Sequence, residues 1–585
     1  MIKMIGRMRK QDWVLFFTGM VFIAAQVGFS LKIPDYMQTI TKLVETDGSS
    51  MNDIWMNGIW MLLCAGGAVG SAIAGSWFSV RLGSSFSKEL RADIYQHVES
   101  YSMNEIDNFS TASLITRSTN DVTQIQNFMS KGLQHMVKAP FMVVWALIKI
   151  AGGYWQWELV TIIAVVIMTI MIVFLMTYAH PRLRKRQYYT DNLSRDLREN
   201  LTGIRVIRAY NAEKYQEAKF TADDKILTDN ERKAHHGMSL MRPEISLVNN
   251  LMMVGIYVIG AYLIAAADTG SRLLIFSDMV VYSSYAAILI QAFMDMNMAF
   301  NMYPRAAVAS ERVLEVLNTN TIVKDGSSRL SEEAPKGTLE FDHVCFHYPG
   351  SREDILQDIS FKVEKGKTLA IIGATGSGKS TIVNLIPRLY DAQSGRVLLD
   401  GKDVRSLTLK DLHDRVGYAS QRAILLTGTV RSNVEYGDNG KVKTGEEGVR
   451  RAIRIAQAEK FVSEMDGGID AEITRGGTNV SGGQKQRLSI ARSIDWQPEV
   501  YVFDDSFSAL DYQTDQQLRQ ALKKETAGIT TVLVAQRIGT IRDADDIIVL
   551  DDGRIVGEGT HEQLMKNCQI YQEIAHTQLS AEELA

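Results

Sequence analysis

The sequence predicts a multi-domain membrane protein: a six-helix all-α transmembrane domain over residues 1–317, a linker over 318–337, an α/β P-loop domain over 338–578 and a short tail over 579–585. Three observations carry that prediction. Apolar runs of the roughly 20 residues needed to cross a bilayer recur only in the first part. Of the 26 methionines, 24 lie before residue 320. Beyond residue 337, short β-rich runs alternate with helical ones around a glycine-rich loop.

Composition narrows the function classes. The 585 residues carry 63 Lys+Arg against 67 Asp+Glu, a formal net charge of -4. No basic excess marks a nucleic-acid binder. The cysteines, Cys64, Cys345 and Cys568, are too few and too scattered for a disulfide framework or a thiolate zinc site.

Six spans are expected, at about 13–31, 54–80, 133–152, 157–178, 247–267 and 273–300. The second is rich in glycine and alanine, including Gly67, Ala68 and Gly75, which lets helix backbones approach closely. The third contains Lys138, Pro140 and Lys149, the last placed to snorkel at the outer end. The first run is too long for a cleaved signal peptide. Positive charge gathers before the first span (Lys3, Arg7, Arg9, Lys10) and after the fourth (Arg182, Arg184, Lys185, Arg186), so both termini are expected in the cytoplasm. The expected location is the cell membrane, of bacterial plasma-membrane type. The two cytoplasmic links, 81–132 and 180–246, are long; Tyr188, Leu193, Leu197, Leu201, Ile204 and Ile207 recur at helical spacing, as in helices that continue beyond the bilayer.

In the second domain, strands are expected at 338–346, 359–363, 368–372, 397–399, 500–503, 531–534 and 547–550, giving a largely parallel central sheet. Directly after the third of these comes Gly373-Ala374-Thr375-Gly376-Ser377-Gly378-Lys379-Ser380. Such a loop, followed by a helix at 382–386, presents consecutive backbone N–H groups to phosphate. Lys379 reaches the β- and γ-phosphates and Ser380 can ligate Mg²⁺. Residues 500–504 form an apolar strand ending in Asp504, placed for the second carboxylate of a P-loop metal site. Between them, Ser481-Gly482-Gly483-Gln484 opens a helix and offers further donors to phosphate.

In these motifs the chain resembles a half-transporter of the ATP-binding cassette (ABC) exporter family over nearly its whole length. The resemblance implies ATP and Mg²⁺ as cofactors. It assigns Gly373, Thr375, Gly376, Ser377, Gly378, Lys379, Ser380 and Thr381 to the phosphates and Tyr348 to the adenine. Gln421 becomes the Q-loop residue beside Ser380 and Asp504 at the metal, and Asp511 the D-loop residue. Ser481, Gly482, Gly483 and Gln484 become the signature that serves the opposite site of a head-to-tail pair. Segments near 108–114 and 210–216 resemble the coupling helices of such transporters.

Two positions depart from the family pattern. Where competent members have Glu after the Walker B Asp, this chain has Asp505, and the switch position, normally His, is Gln536. Asp is one methylene shorter, so its carboxylate stops roughly 1.5 Å short of the attacking water, and positioning losses of ~1 Å can cost ~100-fold. Gln536 can donate a hydrogen bond to the γ-phosphate but cannot become cationic. A third departure is Thr474-Arg475-Gly476-Gly477 ahead of the signature, where exporters commonly carry a Gly-Glu-Arg-Gly-like stretch. The resemblance then predicts a weakly hydrolytic site on this chain, and a second half-transporter subunit, with consensus Glu and His, as heterodimer partner.

Substrate is expected to be small and amphipathic or drug-like, and the lipid bilayer is the expected surrounding. Met294 and Met298, with Met252, Met253, Met296 and Met302, offer polarizable surface, though ordinary packing is the competing role. Gln26, Gln291 and Asp295 are polar groups in or near spans, which by default face the interior or a water-filled cavity. Asp295 would suit a cationic substrate, with simple hydration toward the cytoplasmic end of its helix as the competing role. A dedicated lipid or peptide exporter, or an ATP-binding regulatory membrane subunit, are the alternatives.

Overall fold

The computed structural model describes residues 1–45, 49–151, 153–268, 271–330, 336–351, 353–525 and 527–578. Residues 331–335 of the expected linker and the expected tail, 579–585, lie outside them. The chain divides into two compact units, Met1–His97 with Ala112–Asn318, and Val98–Thr111 with Thr319–Ala585.

The first unit is helical. Among the described residues, Lys10–Val44, Met51–Glu99, Thr111–Ile150, Pro243–Ala266 and Arg272–Asn318 are long and apolar enough to cross a membrane, and Trp155–Met171 is a shorter apolar stretch. Several helices run far past any bilayer. Met51–Glu99 has 49 residues, Trp155–Thr202 has 48 and Glu213–Ala266 has 54. At ~1.5 Å per residue each is about 70–80 Å long, against a hydrocarbon core of about 30 Å. Most of the two long links is therefore helix, as the amphipathic spacing predicts.

Packing between these helices uses small residues and a few polar ties. A Cβ on Gly83 would lie 2.0 Å from Ser130 Oγ, so glycine there allows the Met51–Glu99 helix to cross tightly against Phe128–Gly132, a π-helical turn. Toward the end of the bundle that holds Ile150, Tyr282 donates to the Ile150 carbonyl at 2.6 Å and Trp157 Nε1 to the Ile256 carbonyl at 3.0 Å. Lys149 Nζ lies 2.6 Å from Asp35, so its charge is paired as well as carried to the helix end.

The second unit holds a six-stranded sheet in the order Arg554–Gly559, Asp546–Asp551, Thr368–Gly373, Thr530–Val534, Val500–Asp504, Val416–Ala419. Only the first of these pairs antiparallel. Val500–Asp504 is buried at every position, as a central parallel strand must be. Its side chains alternate between two cores, Tyr501 and Phe503 on one face, Val500 and Val502 on the other. The expected strands at 338–346, 359–363 and 397–399 form a separate antiparallel sheet, ordered Leu356–Val363, Leu339–Phe346, Ser394–Leu399, Lys402–Asp403. Alternating apolar and polar residues in Leu339–Phe346 fit a sheet covered on one side.

Short helices span Met103–Phe109 and Ile204–Ala209, next to the segments near 108–114 and 210–216 that resemble coupling helices. Local chemistry sets both. Ser102 and Glu105 form a capping box at the start of the first, and Ser110, at φ 58°, ends it. Gly203 breaks the long helix ahead of Ile204, and Asn211, at φ 50°, closes the second.

Val98–Thr111 belongs to the second unit because it carries two carboxylates into it. Buried Glu105 accepts from its own Ser102 N–H at 2.9 Å and from Ile322 N–H at 3.1 Å. Asp107 accepts from Tyr390 OH at 2.8 Å, and Met103 packs on the core that holds Phe346 and Ile382. Replacing Glu105 by Ala strands two backbone donors, a loss of about 2 kcal/mol. Amide exchange across 102–109 is then expected to rise on the order of 30-fold in Glu105→Ala; unchanged protection would contradict this docking.

Candidate functional site

The glycine-rich loop leaves the central strand Thr368–Gly373 and enters the helix Lys379–Leu385. Its path depends on glycine. Gly376 and Gly378 have φ of 89° and 102°, a left-handed region hostile to side chains, and the space where a Gly376 Cβ would point is open. Lys379 lies under the loop with Nζ 2.8 Å from the Gly373 carbonyl and 2.6 Å from that of Ala374. Burial pulls its pKa down, while Asp505 and Asp504 pull it back up. Ser377 Oγ is buried with no hydrogen-bond partner, an orphan polar atom in a loop built to meet an anion. Thr375 is exposed at the loop tip.

Two adjacent carboxylates face this loop. Asp504 and Asp505, at the end of Val500–Asp504, are only 4% and 6% exposed. Burial pushes both pKa values up. For Asp504 the Ser380 hydrogen bond opposes that shift, at 3.0 Å from Ser380 Oγ to Asp504 Oδ1. For Asp505 the opposing groups are Gln421, Ser508 and Gln536.

The two residues that depart from the family pattern are partners. Gln536 Nε2 donates to Asp505 Oδ2 at 2.8 Å, and Gln421 Nε2 donates to the same oxygen at 3.3 Å. Asp505 itself sits at φ 46°, with its N–H bonded to the Val534 carbonyl at 3.1 Å, so the backbone fixes where its side chain starts. Sequence reasoning named Asp505, Gln421 and Gln536 separately; the contact among them has no signature in spacing. Nor does spacing show that the Ser508 hydroxyl bonds the Asp505 carbonyl at 2.9 Å, or that Gln486 Nε2 bonds the Gln421 carbonyl at 3.3 Å.

Tyr348 lies beside the loop, its hydroxyl 3.2 Å from Thr381 Oγ1 and its ring edge-on to Phe346 and Tyr390. Ser481 caps the helix Gly482–Asp495, with Ser481 N–H bonded to Gln484 Oε1 at 2.8 Å. Ser481 and Gly482 are exposed, and a Cβ on Gly483 would lie 3.1 Å from the Ala509 carbonyl, so this turn stands beside Ser508–Asp511. Asp511 caps the next helix through Thr514 N–H at 2.9 Å, which holds its carboxyl below the usual range. Residues 474–477 form a short turn in which Gly476 accepts from Lys485 Nζ at 2.9 Å.

In the first unit, Asp295 is buried against Lys138 at 3.1 Å and His135 at 3.3 Å. Gln291, Met294 and Met298 are exposed along the same helix, and Met296 packs into the core. Gln26 is half-buried with its carboxamide oxygen unpartnered.

The geometry agrees with the comparisons to known proteins. Residues 15–293 match the family model for the ABC transporter transmembrane region, and residues 356–508 match that for the ABC transporter. An uncharacterized ABC transporter ATP-binding protein of Mycobacterium tuberculosis is 35% identical over 547 residues, 93% of each chain. An ATP-dependent lipid A-core flippase of Pseudomonas fluorescens is 28% identical over 505 residues, covering 86% of this chain and 82% of the flippase. The fold matches the structure of a bacterial Atm1-family ABC exporter with ATP bound, with a TM-score of 0.79 at 22% identity, over 97% of this chain and 98% of that one. With a helical membrane unit followed by a P-loop domain, this chain belongs to the ABC transporter family as an ABC exporter, a membrane-embedded protein whose ATP-binding domain drives transport.

Proposed function

We propose that this chain exports amphipathic or drug-like substrates across the cell membrane by alternating access, as the degenerate-site subunit of a heterodimeric ABC exporter. The observation that carries the proposal is Asp505, a short carboxylate whose Oδ2 is held by Gln536 and Gln421. In this reading the loop from Gly373 to Thr381 cradles the phosphates of ATP, Lys379 exchanges its carbonyl partners for the β- and γ-phosphates, and Tyr348 stacks on adenine. Ser380, Gln421 and Asp504 are the oxygen donors for Mg²⁺, and Ser380 and Asp504 already touch. When bound, Mg²⁺ neutralises developing charge on the phosphates.

Gln536 orients Asp505 as a third group orients a general base. The shorter side chain then leaves the attacking water out of reach, so this site binds ATP and hydrolyses it slowly. The exposed Ser481–Gln484 turn would complete the site of a partner that carries Glu and His at these two positions. A homodimer would hold two impaired sites. ATP favouring the closed pair shifts the membrane helices between inward-open and outward-open states. In this reading both termini lie in the cytoplasm, at a bacterial plasma membrane.

A second reading, a dedicated lipid exporter, draws support from the flippase relatives. It also fits Asp295, whose carboxylate is paired with Lys138 and so is poorly placed to attract a cationic substrate.

Two outcomes test this reading. In Lys379→Ala, ATP affinity measured by nucleotide titration should fall about 10- to 100-fold, the worth of a charge-assisted hydrogen bond; an unchanged Kd would remove Lys379 from the phosphates. The purified chain in lipid nanodiscs should bind ATP with almost no turnover, while Asp505→Glu/Gln536→His should turn over at least about tenfold faster where a homodimer forms. Brisk, saturable turnover by the natural chain alone would sink the heterodimer reading.

A further inference from the structure

The turn that carries Gln536 is held by its backbone as well as by its side chain. Gln578, on the helix Gln569–Gln578, donates Nε2 to the Gln536 carbonyl at 2.8 Å. Its Oε1 accepts the Ile538 N–H, also at 2.8 Å. One carboxamide therefore clamps both ends of Gln536-Arg537-Ile538. The Ile538 N–H opens the helix Ile538–Ile541, whose N-cap, Arg537, supplies no side-chain cap. It is one of the orphan donors that every helix start must satisfy, and its acceptor comes from 40 residues away.

The clamp has a rigid base. Tyr571 and Ala575 of the Gln569–Gln578 helix are fully buried in the same core as Ile538 and Ile541. The Tyr571 hydroxyl also meets His561 Nδ1 at 2.7 Å. Gln578 lies three residues beyond Ala575, on the same helical face, so the buried part of the helix aims it at the turn.

We propose that Gln578 is a positioning residue for ATP hydrolysis. It fixes the Gln536 backbone where the Gln536 carboxamide meets Asp505 Oδ2, and through that contact it orients the carboxylate next to the nucleotide. Asp505 stands beside the phosphate loop, and Gln578 acts only through Gln536. The proposal rests on the reading of Asp505 and Gln536 as the hydrolytic pair. Because Gln578 is exposed, its replacement leaves the core intact.

The test uses the full chain in lipid nanodiscs with Mg-ATP, comparing the natural protein with Gln578→Ala, Gln536→Ala and the double variant. Single-turnover hydrolysis, equilibrium ATP binding and amide exchange over 536–541 are read on each; where the natural rate is too slow to follow, the same set is read in an Asp505→Glu background. Gln578→Ala should lower the single-turnover rate constant about fivefold to tenfold, roughly one hydrogen bond's worth of placement, while the ATP Kd stays within about twofold. Exchange over 536–541 should rise, and in the Gln536→Ala background Gln578→Ala should cost nothing further in rate. Unchanged exchange, or a rate loss of equal size with and without Gln536, would overturn the proposal. If Gln536→Ala alone leaves the rate unchanged, the hydrolytic reading of the pair falls, and this proposal with it.

Discussion

Two neighbouring carboxylates buried at the end of one central strand are the constraint around which the nucleotide side of this protein is built. Asp504 and Asp505 leave water almost completely, and burial alone would favour their neutral forms. Each is answered by a donor from a different element: Ser380 from the P-loop helix, Gln421 from the loop after Val416–Ala419, and Gln536 from the loop after Thr530–Val534. Lys379 adds the nearby positive charge, and its own burial is repaid by these acids. The sign of the cost follows. An acid with a raised folded-state pKa binds its proton more readily when folded, so the pair weakens the domain above that pKa and the cost eases as pH falls through it. A domain that keeps such a pair at neutral pH does so for its ligand chemistry rather than for stability.

The same physics recurs within the second unit, where Val98–Thr111 packs on the residues after Thr319. Glu105 is buried, and it is tolerated because it satisfies the helix start at Ser102 and the chain at Ile322 together. A buried acid with several donors is more directional than apolar packing, since only one placement of Met103–Phe109 satisfies them all.

Much of this was legible in the sequence, because its signals are local. The P-loop follows from glycines at fixed spacing between a strand and a helix, and the membrane helices follow from the length of their apolar runs. The ends of the short helices Met103–Phe109 and Ile204–Ala209 were not legible, because they are set by Ser102–Glu105 capping, by Gly203 and by the left-handed Ser110 and Asn211, not by hydrophobic period. Gln486 and Gln578 were invisible for a different reason. Each acts through a side-chain amide on a backbone group tens of residues away, and glutamine on a helix surface looks the same whether or not it finds such a partner. The separate antiparallel sheet was missed although Leu339–Phe346 alternates apolar and polar residues, because which strands pair leaves no mark within any one of them.

The central claim is that Asp505 stays bound to Gln536 and falls short of the water when ATP is present. A cryo-electron microscopy structure of the natural chain in nanodiscs with Mg-ATP addresses it directly. The account predicts that Gln536 Nε2 remains within hydrogen-bond distance of Asp505 Oδ2, with the carboxylate too far from the in-line water beside the γ-phosphate to hydrogen-bond it. Gln536 turned onto the γ-phosphate, with an Asp505 oxygen in hydrogen-bond contact with that water, would contradict it.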